Sequence, residues 1–88
     1  MTDIKKLYCR FVTGMTVELD IRQETKTVNQ LKNQLSEVIN LTPERLYIGF
    51  ETTLLDDNDY LSAKGITDSD TVHVITSQLT EKIAYIKK

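Results

Sequence analysis

Hydrophobic residues recur at two spacings along this chain, and the change from one to the other marks its elements. Leu7, Cys9 and Phe11 alternate with Tyr8 and Arg10, and further on Val17, Leu19 and Ile21 alternate with Thr16, Glu18, Asp20 and Arg22. A period of two puts one set of side chains on the core face of a strand and the other set on its outer face. Between the runs stands "VTGM", whose Gly14 takes the positive φ of a tight turn, so the two runs read as a β-hairpin.

The spacing then lengthens. In "TVNQLKNQLSEVIN", Val28, Leu31, Leu35, Val38 and Ile39 recur at helical intervals as one apolar stripe, with Asn29, Lys32, Asn33, Ser36 and Glu37 on the other side. Thr27 precedes Gln30 by the spacing of a capping box, and Asn40 is a residue type that ends helices. Beyond Pro43, the residues Leu46, Ile48 and Phe50 return to period two as a third strand. Residues 51–70 are rich in turn formers, with Leu54, Leu55, Leu61 and Ile66 as isolated apolar anchors, Gly65 as a flexible position and a short strand near Leu54. A last strand over residues 71–75 places Val72 and Val74 on one face and His73 and Ile75 on the other. A hairpin, one striped helix and later strands predict an α+β domain, a mixed sheet packed on one main helix.

Composition narrows the function classes. Eighty-eight residues build one core, and 40% hydrophobic with 27% charged residues is the balance of an ordinary soluble globular protein. No apolar run approaches the ~20 residues that cross a bilayer, and residues 1–6 contain no signal-peptide stretch, so the expected location is cytoplasmic or nuclear, with no membrane partner. The single Cys9 forms no internal disulfide, and one Cys with one His makes no structural zinc site; no cofactor is expected. A net charge of −2 argues against nucleic acid as a partner, because that affinity comes from clustered cations. The charge is uneven: Glu51, Asp56, Asp57, Asp59, Asp68 and Asp70 face only Lys64 in their segment, whereas Lys5, Lys6 and Arg10 near the start and Lys82, Lys87 and Lys88 at the end are basic.

Four motifs in series carry a family resemblance. "TGMTVELDI" resembles ubiquitin's "TGKTITLEV", "TVNQLKNQL" its "TIENVKAKI", "LSAKGI" its "LSDYNI" and "DTVHVI" its "STLHLV", in the same order and hydrophobic register. Residues 5–76 are thus similar to ubiquitin and the ubiquitin-like domains, and the resemblance implies the β-grasp fold. Residues 77–88 are then a C-terminal tail or linker. Conjugated relatives end in a flexible arm with Gly-Gly, where this sequence reads "TSQLTEKIAYIKK", so the expectation is a non-conjugated, non-enzymatic interaction module. A ubiquitin-type modifier with a missing C-terminus is the alternative that a longer chain would revive. Of ubiquitin's lysines only Lys32 has a counterpart, and Thr53 and Asp68 occupy two chain-linkage positions.

Candidate sites divide by face. Cys9 and His73 have the chemistry of a nucleophile and a base, yet alternation puts Cys9 in the core and His73 outside, which leaves no catalytic pair. The acidic run "LLDDNDYLSAKGI" lacks the spacing and terminal Glu of a calcium loop and reads as turns held by side-chain bonds. On the outer face, Tyr8, Arg10, Val12, Tyr47, Gly49, His73 and Ile75 are expected to share one partner-binding surface. The resemblance matches Val12, His73 and Ile75 to the hydrophobic patch that ubiquitin's partners grip, with Gly49 in place of its isoleucine and Tyr47 in place of an arginine. Tyrosine suits a remodelled patch, since its ring desolvates while its hydroxyl bonds. A second reading is self-association: Lys5 and Lys6 with Asp56, Asp57 and Asp59 faintly resemble the basic first strand and acidic loop by which PB1 domains form chains.

Overall fold

The computed structural model of the chain describes residues 4–76. It runs β1 (Lys6–Phe11), β2 (Thr16–Asp20), α1 (Val28–Ile39), β3 (Leu46–Phe50), β4 (Thr53–Leu54) and β5 (Thr71–Thr76), with short 3-10 turns at Pro43–Arg45 and Ser62–Lys64. The hairpin closes through Gly14 at φ +96, whose N–H donates to the Phe11 carbonyl at 2.9 Å while the Phe11 N–H donates to Met15 at 2.8 Å. A left-handed glycine after such a turn matches the twist of the two strands.

The five-stranded sheet has the order β2-β1-β5-β3-β4. β5 lies between β1 and β3, parallel to the first and antiparallel to the second. The two ends of the described chain therefore pair at the centre of the sheet. The helix is bounded as its sequence predicts. Thr27 Oγ1 accepts from the Gln30 N–H at 3.3 Å, and Gln30 Oε1 accepts in return from the Thr27 N–H at 3.0 Å. Asn40 ends the helix at φ 61 and ψ 41, donating its N–H to the Ser36 carbonyl.

Val28, Leu31 and Leu35 of α1 pack on Leu7, Cys9, Leu19, Leu46, Ile48, Val72 and Val74 of the sheet, and Leu55, Leu61 and Ile66 close the rim. Each of these Val, Leu and Ile side chains contributes about 1.5–3 kcal/mol by leaving water. Three expectations are corrected. Lys32, assigned to the polar side of the helix, is only 7% exposed; its stem lies along the core rim and its ammonium meets Asp57 at 2.5 Å. Val38, assigned to the apolar stripe, is 57% exposed, and half-buried Ile39 packs on the core in its place. Leu54 is exposed rather than an anchor: it ends β4, and the next residue, Leu55, is the one buried in the core.

Gln34 is also buried. Its Oε1 accepts from the Thr25 hydroxyl at 2.9 Å and the Arg22 N–H at 3.3 Å, and its Nε2 donates to the Asp20 carbonyl. These bonds tie the helix to the end of β2. Among the described residues no helix is long and apolar enough to cross a membrane. The expected tail, residues 77–88, lies outside the described residues.

Candidate protein-docking face

Side chains that alternate away from the helix gather on β1, β5 and β3. Arg10 stands opposite His73, which stands opposite Gly49; Tyr8 stands opposite Thr71, and Ile75 opposite Tyr47. Val12, the first turn residue after β1, follows Phe11, the partner of Val74, at the end of the sheet where Ile75 lies. The strands thus bring the seven expected residues together in adjacent rows: Val12, Ile75 and Tyr47; then Arg10, His73 and Gly49; then Tyr8. Val12 is 65% exposed, Tyr47 43% and Ile75 41%, while Tyr8 and Gly49 are half-buried.

One member of this surface escaped the sequence. Leu54 pairs with Gly49 across the β3–β4 hairpin, so it projects from the same outer face, and its side chain is exposed. The row Arg10, His73, Gly49, Leu54 therefore carries apolar bulk on β4 where Gly49 supplies none. The available signal was parity: with Leu55 inward, Leu54 has to point out.

Cations lie beside both tyrosines. The Lys32 ammonium is 5.6 Å from the centre of the Tyr47 ring, and that of Lys6 is 5.7 Å from the Tyr8 ring. The buried lysine that engages Asp57 thus also lies beside the Tyr47 ring. The face as a whole is an apolar and aromatic patch with Arg10 and His73 across its middle. It can take an apolar partner surface that carries acceptors or carboxylates at its edge.

The other candidates fall elsewhere. Cys9 is fully buried, and burial pushes its thiol up to about 11, away from the reactive thiolate. It pairs with Val72 on the core face, and His73 is on the opposite one. In the acidic run the Asp59 carboxylate accepts from the Asp56 N–H at 2.9 Å, and the carbonyls of Asp59 and Asp57 accept from Val28 and Asn29 at 2.9 and 3.0 Å. The run shapes a turn and covers the helix N-terminus. Asp59 also faces Lys64 at 3.7 Å, Asp57 faces Lys32, and Lys6 faces Glu18 at 3.8 Å. Lys6, Asp57 and Asp59, three of the five charges of the self-association reading, are thus already paired within the domain. Among the described residues no group of three or more His, Cys, Asp and Glu side chains is placed to hold a metal ion. Asp68 accepts from the backbone N–H groups of Lys5 and Lys6 at 2.9 and 3.0 Å, and those bonds hold its carboxyl below the usual range.

The sheet order, the single helix and this outer face can now be set beside known proteins. Residues 7–79 match the model of the ubiquitin family. The chain belongs to the ubiquitin family. Among solved structures it is similar to the UBL domain of Plasmodium falciparum Dsk2, with 24% identity, a TM-score of 0.72 and coverage of 84% of this chain and 99% of that one. This second likeness is one of fold. Comparison with curated proteins gives no match. For this ubiquitin-family domain the β-grasp arrangement implied by its four motifs is the one observed, a mixed sheet of five strands on one main helix.

Proposed function

We propose that this domain is a non-enzymatic docking module that binds another protein non-covalently through the outer face of its sheet. The observation that carries this reading is the exposed group Val12, Ile75 and Tyr47, supplied by the turn after β1 and by the neighbouring strands β5 and β3, with Leu54 extending the apolar surface. Scattered apolar residues on a surface need no explanation, but four on one small face form a patch of the kind that marks interaction sites. Arg10 and His73 set the polar contacts, and Tyr47 is the expected anchor.

Partners retained from a cell extract by the native domain are compared with those retained by an Ile75→Asp variant, and the shared face is then mapped by amide chemical shifts. Loss of the partner in Ile75→Asp, with shifts at His73, Ile75 and Tyr47, is the expected result. In the same complex Tyr47→Ala weakens binding by about 2 kcal/mol without unfolding the domain. A partner held equally well by folded Ile75→Asp and Tyr47→Ala variants overturns the reading.

A further inference from the structure

At the other end of β1 from Val12 the surface opens into a cleft of about 340 Å³, lined on one side by Ile4 and Ile21 and on the other by Tyr60 and Leu61. None of the docking-face residues lines it. Three segments far apart in sequence build its walls, and backbone bonds hold them: Ile21 donates to the Lys5 carbonyl at 2.8 Å, and Leu61 to the Lys26 carbonyl at 2.9 Å. The cleft is therefore preformed. Its volume lies at the low end of the roughly 300–1,000 Å³ of binding clefts, room for one or two side chains rather than a domain surface. Leu61 forms an apolar floor, and the largely exposed ring of Tyr60 stands at the rim.

The charge of the lining selects the occupant. Lys5, Arg22 and Lys26 line the cleft and, among the described residues, no carboxylate does, although the chain as a whole carries −2. Arg22 is bound to Glu37 by two hydrogen bonds, of 2.6 and 3.2 Å. Among the described residues the ammonium groups of Lys5 and Lys26 have no ion-pair partner. The Lys5 charge also acts on the Asp68 carboxyl, without an ion pair between them, and together with Lys26 it sets two cations over an apolar floor, a complement to a segment that offers carboxylates beside an apolar side chain.

We propose that this cleft is a second recognition site, for a short acidic peptide segment that inserts one apolar side chain between Ile21 and Tyr60 and lays flanking carboxylates against Lys5 and Lys26. The test is an amide chemical-shift titration of the full chain with the end-blocked peptide Glu-Glu-Leu-Asp-Glu and with its analogue Glu-Glu-Ser-Asp-Glu. Saturable shifts at Ile21, Lys26 and Tyr60 are expected with the leucine peptide. Binding should fall about tenfold in a Lys5→Glu, Lys26→Glu double variant, the size of two exposed ion pairs lost and replaced by repulsion. The serine analogue should weaken by a similar factor, since it gives up the burial of one leucine. Lys26→Gln serves in place of the double variant if that variant loses its dispersed spectrum. No saturable shift at about 5 mM peptide, a weakness of well over 4 kcal/mol short of micromolar binding, overturns the proposal. So does equal binding of the two peptides, or undiminished binding to the charge variants. Shifts confined to His73, Ile75 and Tyr47 overturn it too, while leaving the docking face intact.

Discussion

Gly49 leaves room for a side chain. A Cβ placed there meets the Thr53 carbonyl at 3.4 Å and the His73 Cβ at 4.0 Å, both ordinary contacts, and the residue lies within strand β3. Gly49→Ala is expected to raise stability by roughly 0.4–1 kcal/mol, because the unfolded chain loses freedom that the strand never used. Urea denaturation measures it, and a drop in the midpoint would reveal strain at that position. Asp68 makes a second prediction, on pH. Its folded carboxyl is lowered from 3.8 by the Lys5 and Lys6 N–H groups, so the ionised form is the one the fold favours. That contribution is complete above the unfolded value and is lost as pH falls through the folded one. In Asp68→Asn, the stability difference from the native chain should be present at neutral pH and shrink below about pH 4. A difference that does not change with pH would assign the effect to shape rather than charge.

Helix α1 shows how far local patterning reaches. Its capping box, its left-handed Asn40 stop and the burial of Val28, Leu31 and Leu35 are local properties, and all were legible in the sequence. The burial of Lys32 was half legible. It follows Val28 by four and precedes Leu35 by three, the spacing of one face, but its charge argued for the opposite side. Whether a lysine stays in water depends on a carboxylate within reach, and Asp57 arrives from a segment 25 positions away. Gln34 had no local signal, because its three partners lie before the helix and curl back to it. Gln34→Ala leaves the Asp20 carbonyl, the Arg22 N–H and the Thr25 hydroxyl without that partner, and is expected to cost about 1–3 kcal/mol. A thermal or urea midpoint unchanged from the native chain would show that water replaces the amide at no cost.

At the scale of the whole molecule, the described residues present an apolar and aromatic surface on the sheet and a basic, cleft-shaped one at the far end of β1. With Lys6, Asp57 and Asp59 already paired internally, amide positions of Lys5, Lys6, Asp56, Asp57 and Asp59 are expected to stay constant over a wide range of protein concentration at low salt. Concentration-dependent shifts there that high salt reverses would instead favour chain-forming self-association, since exposed charge contacts are screened by ions. The sequence by itself determined the main elements, their order and the parity of β1, β2, β3 and β5, because side-chain alternation, helical spacing and caps act between near neighbours. It therefore placed Val72 and Val74 inside and His73 and Ile75 outside. Only the tertiary structure decided that β5 slots between β1 and β3, that Leu54 joins the face through Gly49, and that Ile4, Ile21 and Tyr60 meet around one cleft. Those outcomes depend on contacts between distant segments, which the packing of one shared core selects and no local pattern encodes.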